Sequence, residues 1–406
     1  MLRAAVAGAL AALAVPAGVM AQTKPPIAHY WVDVATQNMS IPGMEGMPAG
    51  MIPGMGGGGP QRALNLYLHS TQKQPPAPEA THDIPPGQNM GPTLPLVLPR
   101  VERAPAGERD VPENFEKPKA RMLVYWGCGD AVRSGQPRVA DTSTMPPEQF
   151  AKVLAGRTPP RGNSPYGPNR AVWPNERDSK PVPAASSLVG DHLVKGNYSP
   201  DIRFRLGSTQ DFMAPLALSS RGGLADAVQL AWQAVPTAQG YFLMAMAQRE
   251  KRGETVIWTS SEVQESGFGL MNYLPNDFVR RMVQEKVILP PSTTNCTVPK
   301  GIFEGAEGVS VQAIAYGEEL NLAHPPRPAD PKAPWEPIWA VKVRVKSTGM
   351  TMLGMGDDEE SPRRGRRSGA APSQPQPSSP GPAQTPPPAE SPTGEAVRQL
   401  RGIFGF

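Results

Sequence analysis

The sequence has few of the residues that normally carry out chemistry. Its 406 residues include two cysteines, five histidines and only 6% aromatic residues. It contains no GxSxG, HExxH or P-loop motif, and no GxGxxG motif follows a strand-like run. These absences argue against the common hydrolases, zinc proteases and nucleotide-binding enzymes. We therefore expect a protein that is not an enzyme, and keep an enzyme of unrecognised type as an alternative.

Charge of one sign is also scarce. The net charge is +4, and the one dense basic block, at 363–367, directly follows an acidic block at 357–360. Adjacent blocks of opposite sign largely cancel beyond a Debye length of about 10 Å. This pattern favours a solvated linker and predicts no nucleic-acid partner.

A long apolar run is missing everywhere except near the N-terminus. Arg3 precedes an uncharged apolar run at 4–18, and Val19 and Ala21 are the small residues that a signal peptidase accepts. The run is short for a membrane span. We expect export into the periplasm or secretion, cleavage after Ala21, and a mature chain without a transmembrane span.

Proline and glycine, by contrast, are plentiful. The 51 prolines and 41 glycines are concentrated at 39–60, 74–118, 157–187 and 361–394, and such stretches rarely build a core. The predicted organisation is a signal peptide at 1–21, an N-terminal strand pair at 22–73 with a Met/Gly-rich loop at 39–60, a Pro-rich linker at 74–119, a β-sandwich body at 120–347, a disordered linker at 348–393 and an amphipathic C-terminal peptide at 394–406.

The strand signals are strongest in the middle of the chain. Five strand-like runs between 224 and 347 are separated by turn residues, which is the spacing of an all-β sandwich. Within the body, helical patterns occur near 147–154 and at 277–287. We predict a mainly β fold: an antiparallel β-sandwich with one or two short helices and long disordered Pro/Gly-rich segments.

One passage within this region has a recognisable pattern. Residues 230–243, LAWQAVPTAQGYFL, place Trp232 before a Pro/Ala/Gly turn and Tyr241 at the start of the next run. This passage resembles the step from strand B to strand C in fibronectin type III-like domains, although the helix at 277–287 departs from that family. The resemblance implies an immunoglobulin- or fibronectin III-like sandwich that serves binding or spacing, and it implies no active site.

The two cysteines, Cys128 and Cys296, suggest one disulfide in an oxidising compartment. The alternative is two buried free thiols. Neither cysteine has the neighbours that a zinc site needs.

Methionines in the first Pro/Gly-rich loop form the sharpest candidate site. Met44, Met47, Met51 and Met55 follow Met39 at short intervals, and Met350, Met352 and Met355 form a second group. Thioether sulfur is a soft, neutral ligand that suits Cu(I) or Ag(I). The alternative function is therefore soft-metal binding by this loop. The competing interpretation is that methionine is simply the pliable apolar residue that such a loop tolerates.

The C-terminal peptide carries an apolar stripe formed by Val397, Leu400, Ile403 and Phe404. A short amphipathic end behind a flexible tether is typical of a docking peptide for an unknown envelope protein or membrane surface. A frayed terminus is the alternative.

Histidine and tryptophan add two minor hypotheses. His29 and His69 lie on the strands that flank the Met-rich loop and could meet in a hairpin, whereas Asp191 and His192 are neighbours on one strand and should point to opposite faces. Exposed tryptophan can bind sugars, for which the candidates are Trp173, Trp335 and Trp339.

Overall fold

The computed structural model describes residues 24–40, 59–99, 120–160, 164–167, 169–330 and 333–354. Across these residues the fold is mainly β. The strands, in chain order, are Ala28–Ser40 (β1), Gln61–Ser70 (β2), Ala80–Asp83 (β3), Thr93–Leu96 (β4), Arg121–Trp126 (β5), Arg138–Asp141 (β6), Arg170–Trp173 (β7), Gly190–Gly196 (β8), Ser199–Leu206 (β9), Leu218–Arg221 (β10), Val228–Trp232 (β11), Gly240–Arg249 (β12), Glu254–Thr259 (β13), Asn295–Val298 (β14), Val309–His324 (β15) and Trp339–Leu353 (β16). The helices are Pro147–Leu154 (α1) and Asn276–Gln284 (α2).

A nine-stranded sheet organises the molecule. Its strand order is β6-β5-β13-β12-β15-β16-β1-β2-β7. The hairpins β1–β2, β12–β13 and β15–β16 are antiparallel, but β1 runs parallel to β16 and β5 runs parallel to β13. The predicted N-terminal strand pair is therefore continuous with the body predicted at 120–347, through the β1–β16 ladder.

Two smaller sheets lie against one side of the large sheet, which we call the inner face. They have the orders β10-β11-β14 and β4-β3-β8-β9. A single core cluster joins all three sheets, with Val32 from β1, Leu94 from β4 and Leu230 from β11 each at most 1% exposed. Alternate residues on each strand point to this layer, as the two-residue period of a strand requires.

The opposite side, the outer face, is partly covered by the two helices. Phe150 of α1 and Phe278 and Met282 of α2 pack on Phe242 and Ile314 of the sheet in a second core cluster. The helix at 277–287 was predicted correctly, although α2 ends at Gln284, where an exposed turn leads into the buried residues Val287, Ile288 and Leu289.

The predicted Pro-rich linker at 74–119 is partly wrong. Within it, β3 and β4 form half of the four-stranded sheet, and His82 and Leu94 are completely buried. Proline is tolerated here because β4, which contains Pro95, is an edge strand. The linker predicted from 348 also begins too early, because β16 continues to Leu353 and pairs there with Val309.

The Sγ atoms of Cys128 and Cys296 are joined in a disulfide. The bond connects the turn after β5, in the large sheet, to β14 in the three-stranded sheet. It therefore links the two layers across 168 residues of sequence. In the described part of the chain, no helix has the length and apolar character needed to cross a membrane.

Candidate functional site

Strand pairing gathers polar and aromatic side chains on the outer face of the large sheet. On β1, Trp31 lies opposite Lys342 of β16 and Tyr67 of β2, and Asp33 lies opposite Arg344 of β16. Side chains two residues apart on a strand share a face. Alternation along β1 and β16 thus places aromatic, acidic and basic groups side by side.

Asp33 and Arg344 form a buried ion pair at the centre of this group. The Arg344 guanidinium donates from Nε to Asp33 Oδ1 at 2.7 Å and from Nη2 to Oδ2, and the residues are 3% and 4% exposed. Burial raises the pKa of the Asp33 carboxyl, while the hydrogen bonds from Arg344 oppose that rise. Two parallel hydrogen bonds of this kind are strong and directional, so the pair fixes the register of β1 on β16.

Aromatic rings enclose the guanidinium on two sides. The Arg344 Cζ atom lies 4.8 Å from the centroid of Trp31 and 4.5 Å from that of Tyr273. A desolvated cation between two aromatic faces gains further electrostatic stabilisation. Tyr273 belongs to the segment before α2, so these contacts also fasten that segment to the sheet.

Lys346 lies at the rim of the same group. Its Nζ is 4.3 Å from the Tyr273 ring centroid and donates to Asn272 Oδ1 at 3.3 Å. Burial lowers the pKa of Lys346 to about 8, an effect that Asp33 opposes and Arg344 reinforces. Burial beside Arg344 therefore works against the charged form of this amine.

The histidines predicted to meet in a hairpin are direct neighbours. His29 on β1 is opposite His69 on β2, which is opposite Arg170 on β7. Burial lowers the pKa of His29, and the nearby His69 and Arg170 lower it further. His29 and His69 are half-buried rather than fully exposed, and this row of basic groups favours a neutral imidazole at His29.

A second histidine group, which was not predicted from the sequence, lies on the inner face. Tyr30 Oη is 2.9 Å from His82 Nδ1, and His82 Nε2 is 3.0 Å from His192 Nδ1. His192 Nε2 lies 2.7 Å from the Leu188 carbonyl oxygen, which can only accept. The donors therefore all point one way, from Tyr30 through His82 and His192 to Leu188, when both imidazoles are neutral.

Burial keeps these two histidines neutral. It lowers the pKa of His82 well below the usual value, with a further contribution from His192, and it also lowers the pKa of His192. The Tyr30, His82 and His192 chain joins β1 to β3 and β8, and so ties the large sheet to the four-stranded sheet. His82 could not be found from the sequence, because nothing in the Pro-rich stretch around it indicates burial.

Asp191 and His192 lie on opposite faces, as their adjacency on one strand predicts. Asp191 is exposed and accepts two hydrogen bonds from Arg205, whereas His192 is 3% exposed. Asp191 is therefore not the group that orients the His192 ring.

The tryptophans named as sugar platforms are mostly internal. Trp173 and Trp339 are 2% and 8% exposed and anchor their strands in the core. Trp335 lies in a loop, where its indole N–H donates to the Pro325 carbonyl and Arg327 stacks on its ring. Two of the three tryptophans named for sugar binding are therefore too buried to contact a sugar.

Several predicted site residues lie outside the described residues. They include all four methionines of the proposed metal-binding loop, Met44, Met47, Met51 and Met55, and the docking stripe formed by Val397, Leu400, Ile403 and Phe404. Met39, however, is described. It is the penultimate residue of β1, lies directly opposite Met350 of β16, and is 43% exposed.

In the ranges that the structure describes, no group of three or more His, Cys, Asp or Glu residues is arranged to hold a metal ion.

Comparison of the chain with protein-family models found no match, and comparison with curated proteins found none either.

Proposed function

We propose that this chain is an exported, non-catalytic binding or structural module of the periplasm or cell envelope. The observation that carries the proposal is the Cys128–Cys296 disulfide, which links two layers of the fold. Structural disulfides persist in oxidising compartments and are rare in the cytosol. The signal-peptide pattern of the first 21 residues supports the same compartment.

The module is built on a fibronectin type III-like sandwich at Leu218–Leu353. Support comes from the strand order, since β10, β11 and β14 form one sheet while β13, β12, β15 and β16 are consecutive in another. In immunoglobulin-type sandwiches, the first, second and fifth strands likewise share one sheet, and the third, sixth and seventh strands share the other, as β12, β15 and β16 do here.

The resembling passage also supports this sandwich. Trp232 on β11 and Tyr241 on β12 belong to different sheets, and their ring centroids are 5.4 Å apart in the core between those sheets. The Tyr241 hydroxyl accepts a hydrogen bond from the Val235 backbone N–H, which fixes the connecting turn. Because sandwiches of this kind host many functions, the fold by itself does not indicate a partner. We therefore propose the partner contact from other features of the chain.

The buried Asp33–Arg344 pair on the outer face of the large sheet fits a structural role better than a catalytic one. Asp33 and Arg344 satisfy each other and are almost fully enclosed. Such a closed pair specifies a strand register rather than a reaction. The proposed contact with a partner is instead the C-terminal peptide at 394–406, on the basis of its apolar stripe.

Export is tested by the mass and thiol content of the protein recovered from its native host. We expect the periplasmic or secreted fraction to contain a chain without residues 1–21 and without free thiols. A cytosolic chain of full mass with two free thiols would contradict the proposal.

Binding is tested by affinity capture from the envelope fraction with two chains, one complete and one lacking 394–406. We expect a partner only with the complete chain, while circular dichroism shows the same β content for both. An identical set of captured proteins would remove the peptide from the proposal.

A further inference from the structure

The parallel pairing of the first and last strands brings together two groups of methionines that are distant in sequence. Met39 at the end of β1 is in register with Met350 of β16, across neighbouring strands about 4.8 Å apart. Met352 follows two residues later on β16, on the same face. Met39 is 43% exposed, and Met350 and Met352 are half-buried. We call these three residues the methionine cluster.

The described residues that pair with the methionine cluster toward β12 are uncharged. On β15, Gln312 pairs with Met350 and Ser310 pairs with Met352. One strand further, on β12, Met244 pairs with Gln312 and Met246 pairs with Ser310. Among these described strand positions the side chains are therefore neutral, and sulfur occurs on three of four adjacent strands.

From this arrangement we propose that the methionine cluster is a binding site for a soft monovalent cation, Cu(I) or Ag(I). Thioether sulfur is neutral and soft, and it selects such ions over hard divalent cations, which prefer carboxylate oxygen. In-register side chains on adjacent strands have Cβ atoms about 5 Å apart, close enough for their flexible thioethers to converge on one ion. The ion enters already monovalent, so binding involves no redox step.

This site differs from the metal site predicted from the sequence. That prediction used Met44, Met47, Met51 and Met55 of the loop, whereas the methionine cluster lies on two paired strands. Only the parallel order of β1 and β16 reveals it, because an antiparallel pairing would place their C-terminal ends at opposite edges. It is also independent of the proposed partner binding.

The test is an anaerobic titration of the purified full chain with Cu(I), in competition with a chromogenic Cu(I) chelator. We compare the natural chain with Met39→Leu/Met350→Leu/Met352→Leu and with Met282→Leu, a control that removes a buried methionine in α2. Met→Leu substitution nearly conserves volume, so the fold should be retained, and circular dichroism verifies this.

We expect about one equivalent of Cu(I) for the natural chain and the control, and an affinity weaker by at least about tenfold in the triple variant. X-ray absorption of the loaded protein should show sulfur neighbours around copper. A further variant, Met44→Leu/Met47→Leu/Met51→Leu/Met55→Leu, removes the thioethers of the loop and should still bind about one equivalent of Cu(I).

Three results would overturn the proposal. The first is that the natural chain does not bind Cu(I), and the second is that the triple variant binds it as tightly as the natural chain. The third is that the loop variant loses Cu(I) binding while the triple variant retains it.

Discussion

Two groups of buried polar residues hold the strands together, and each depends on its protonation state. In the Tyr30, His82 and His192 chain, every donor has an acceptor only while both imidazoles are neutral. A proton added to either ring turns an accepting nitrogen into a donor that faces another donor. The cost of burying that charge appears as the lowered pKa of both histidines.

We predict that the free energy of unfolding decreases as the pH is lowered below about 6.5, the usual histidine pKa. In that range the unfolded chain binds protons at His82 and His192, but the folded chain does not, so acid favours unfolding. Urea denaturation at pH 7.5 and pH 5.5 measures the effect. In His82→Phe we expect a smaller pH dependence and a loss at pH 7.5 of about 1–3 kcal/mol, from the orphaned Tyr30 donor.

The control for this prediction is His324→Gln, which replaces an exposed histidine. It should retain the pH dependence of the natural chain. Equal slopes for His82→Phe and the natural chain would show that the buried histidines do not cause the acid sensitivity.

The Asp33–Arg344 pair leads to a second prediction at this scale. Asp33→Ala leaves a guanidinium buried without a counter-charge, which costs about 3–5 kcal/mol. The exposed pair Asp191–Arg205 provides the comparison, since Asp191→Ala should cost less than about 1 kcal/mol. Chemical denaturation measures both variants, and equal losses would contradict the role assigned to the buried pair.

At the scale of secondary-structure elements, the sequence predicts the long strands and several of intermediate length, and misses most of the four-residue strands. Alternation over ten or more residues is visible in β1, β2, β15 and β16, whereas four-residue strands such as β6, β10 and β14 have too few residues to show a period. The parallel pairing of β1 with β16 was also missed, because a register between segments 300 residues apart is set by packing and not by local pattern.

Close packing between elements gives a third prediction. A Cβ added at Gly349 of β16 would lie 2.4 Å from the Leu216 carbonyl oxygen, on the segment that leads into β10. Gly349→Ala therefore has to push this segment away from the sheet, and we expect it to cost about 1–3 kcal/mol. Gly59→Ala is the matched control, since nothing lies within 4 Å of its added Cβ. Equal unfolding midpoints for the two variants would contradict the crowding at Gly349.

At the scale of the whole molecule, the mainly β fold was predicted correctly, and most of the candidate site was not. Composition and strand spacing are properties of the whole chain and can be read from sequence. The site depends on which residues of distant strands become neighbours, as with Met39 and Met350. The disulfide lies between these two cases in how well the sequence predicts it, because the chain has only two cysteines that could pair.

The disulfide provides the prediction for this scale. Cys128→Ser/Cys296→Ser should lower the free energy of unfolding by about 2–5 kcal/mol, because the crosslink restricts the unfolded chain over a long loop. Thermal and urea denaturation of the variant and the natural chain measure the difference. Addition of a reductant should lower the stability of the natural chain only, and a similar decrease in the variant would contradict this account.

The place of β1 in the large sheet has a consequence for how the protein is made. Its hydrogen-bonding partner on one side, β16, ends at Leu353, so the pairing of the first strand cannot be completed until the chain has been synthesised to that residue. Until then, the backbone groups of β1 that face β16 lack their partner, and this strand, which carries the apolar residues Tyr30, Val32 and Val34, is open to wrong pairings. Such long-range closure makes folding slow. Any fragment that stops before Trp339 should therefore require chaperone protection and aggregate without it.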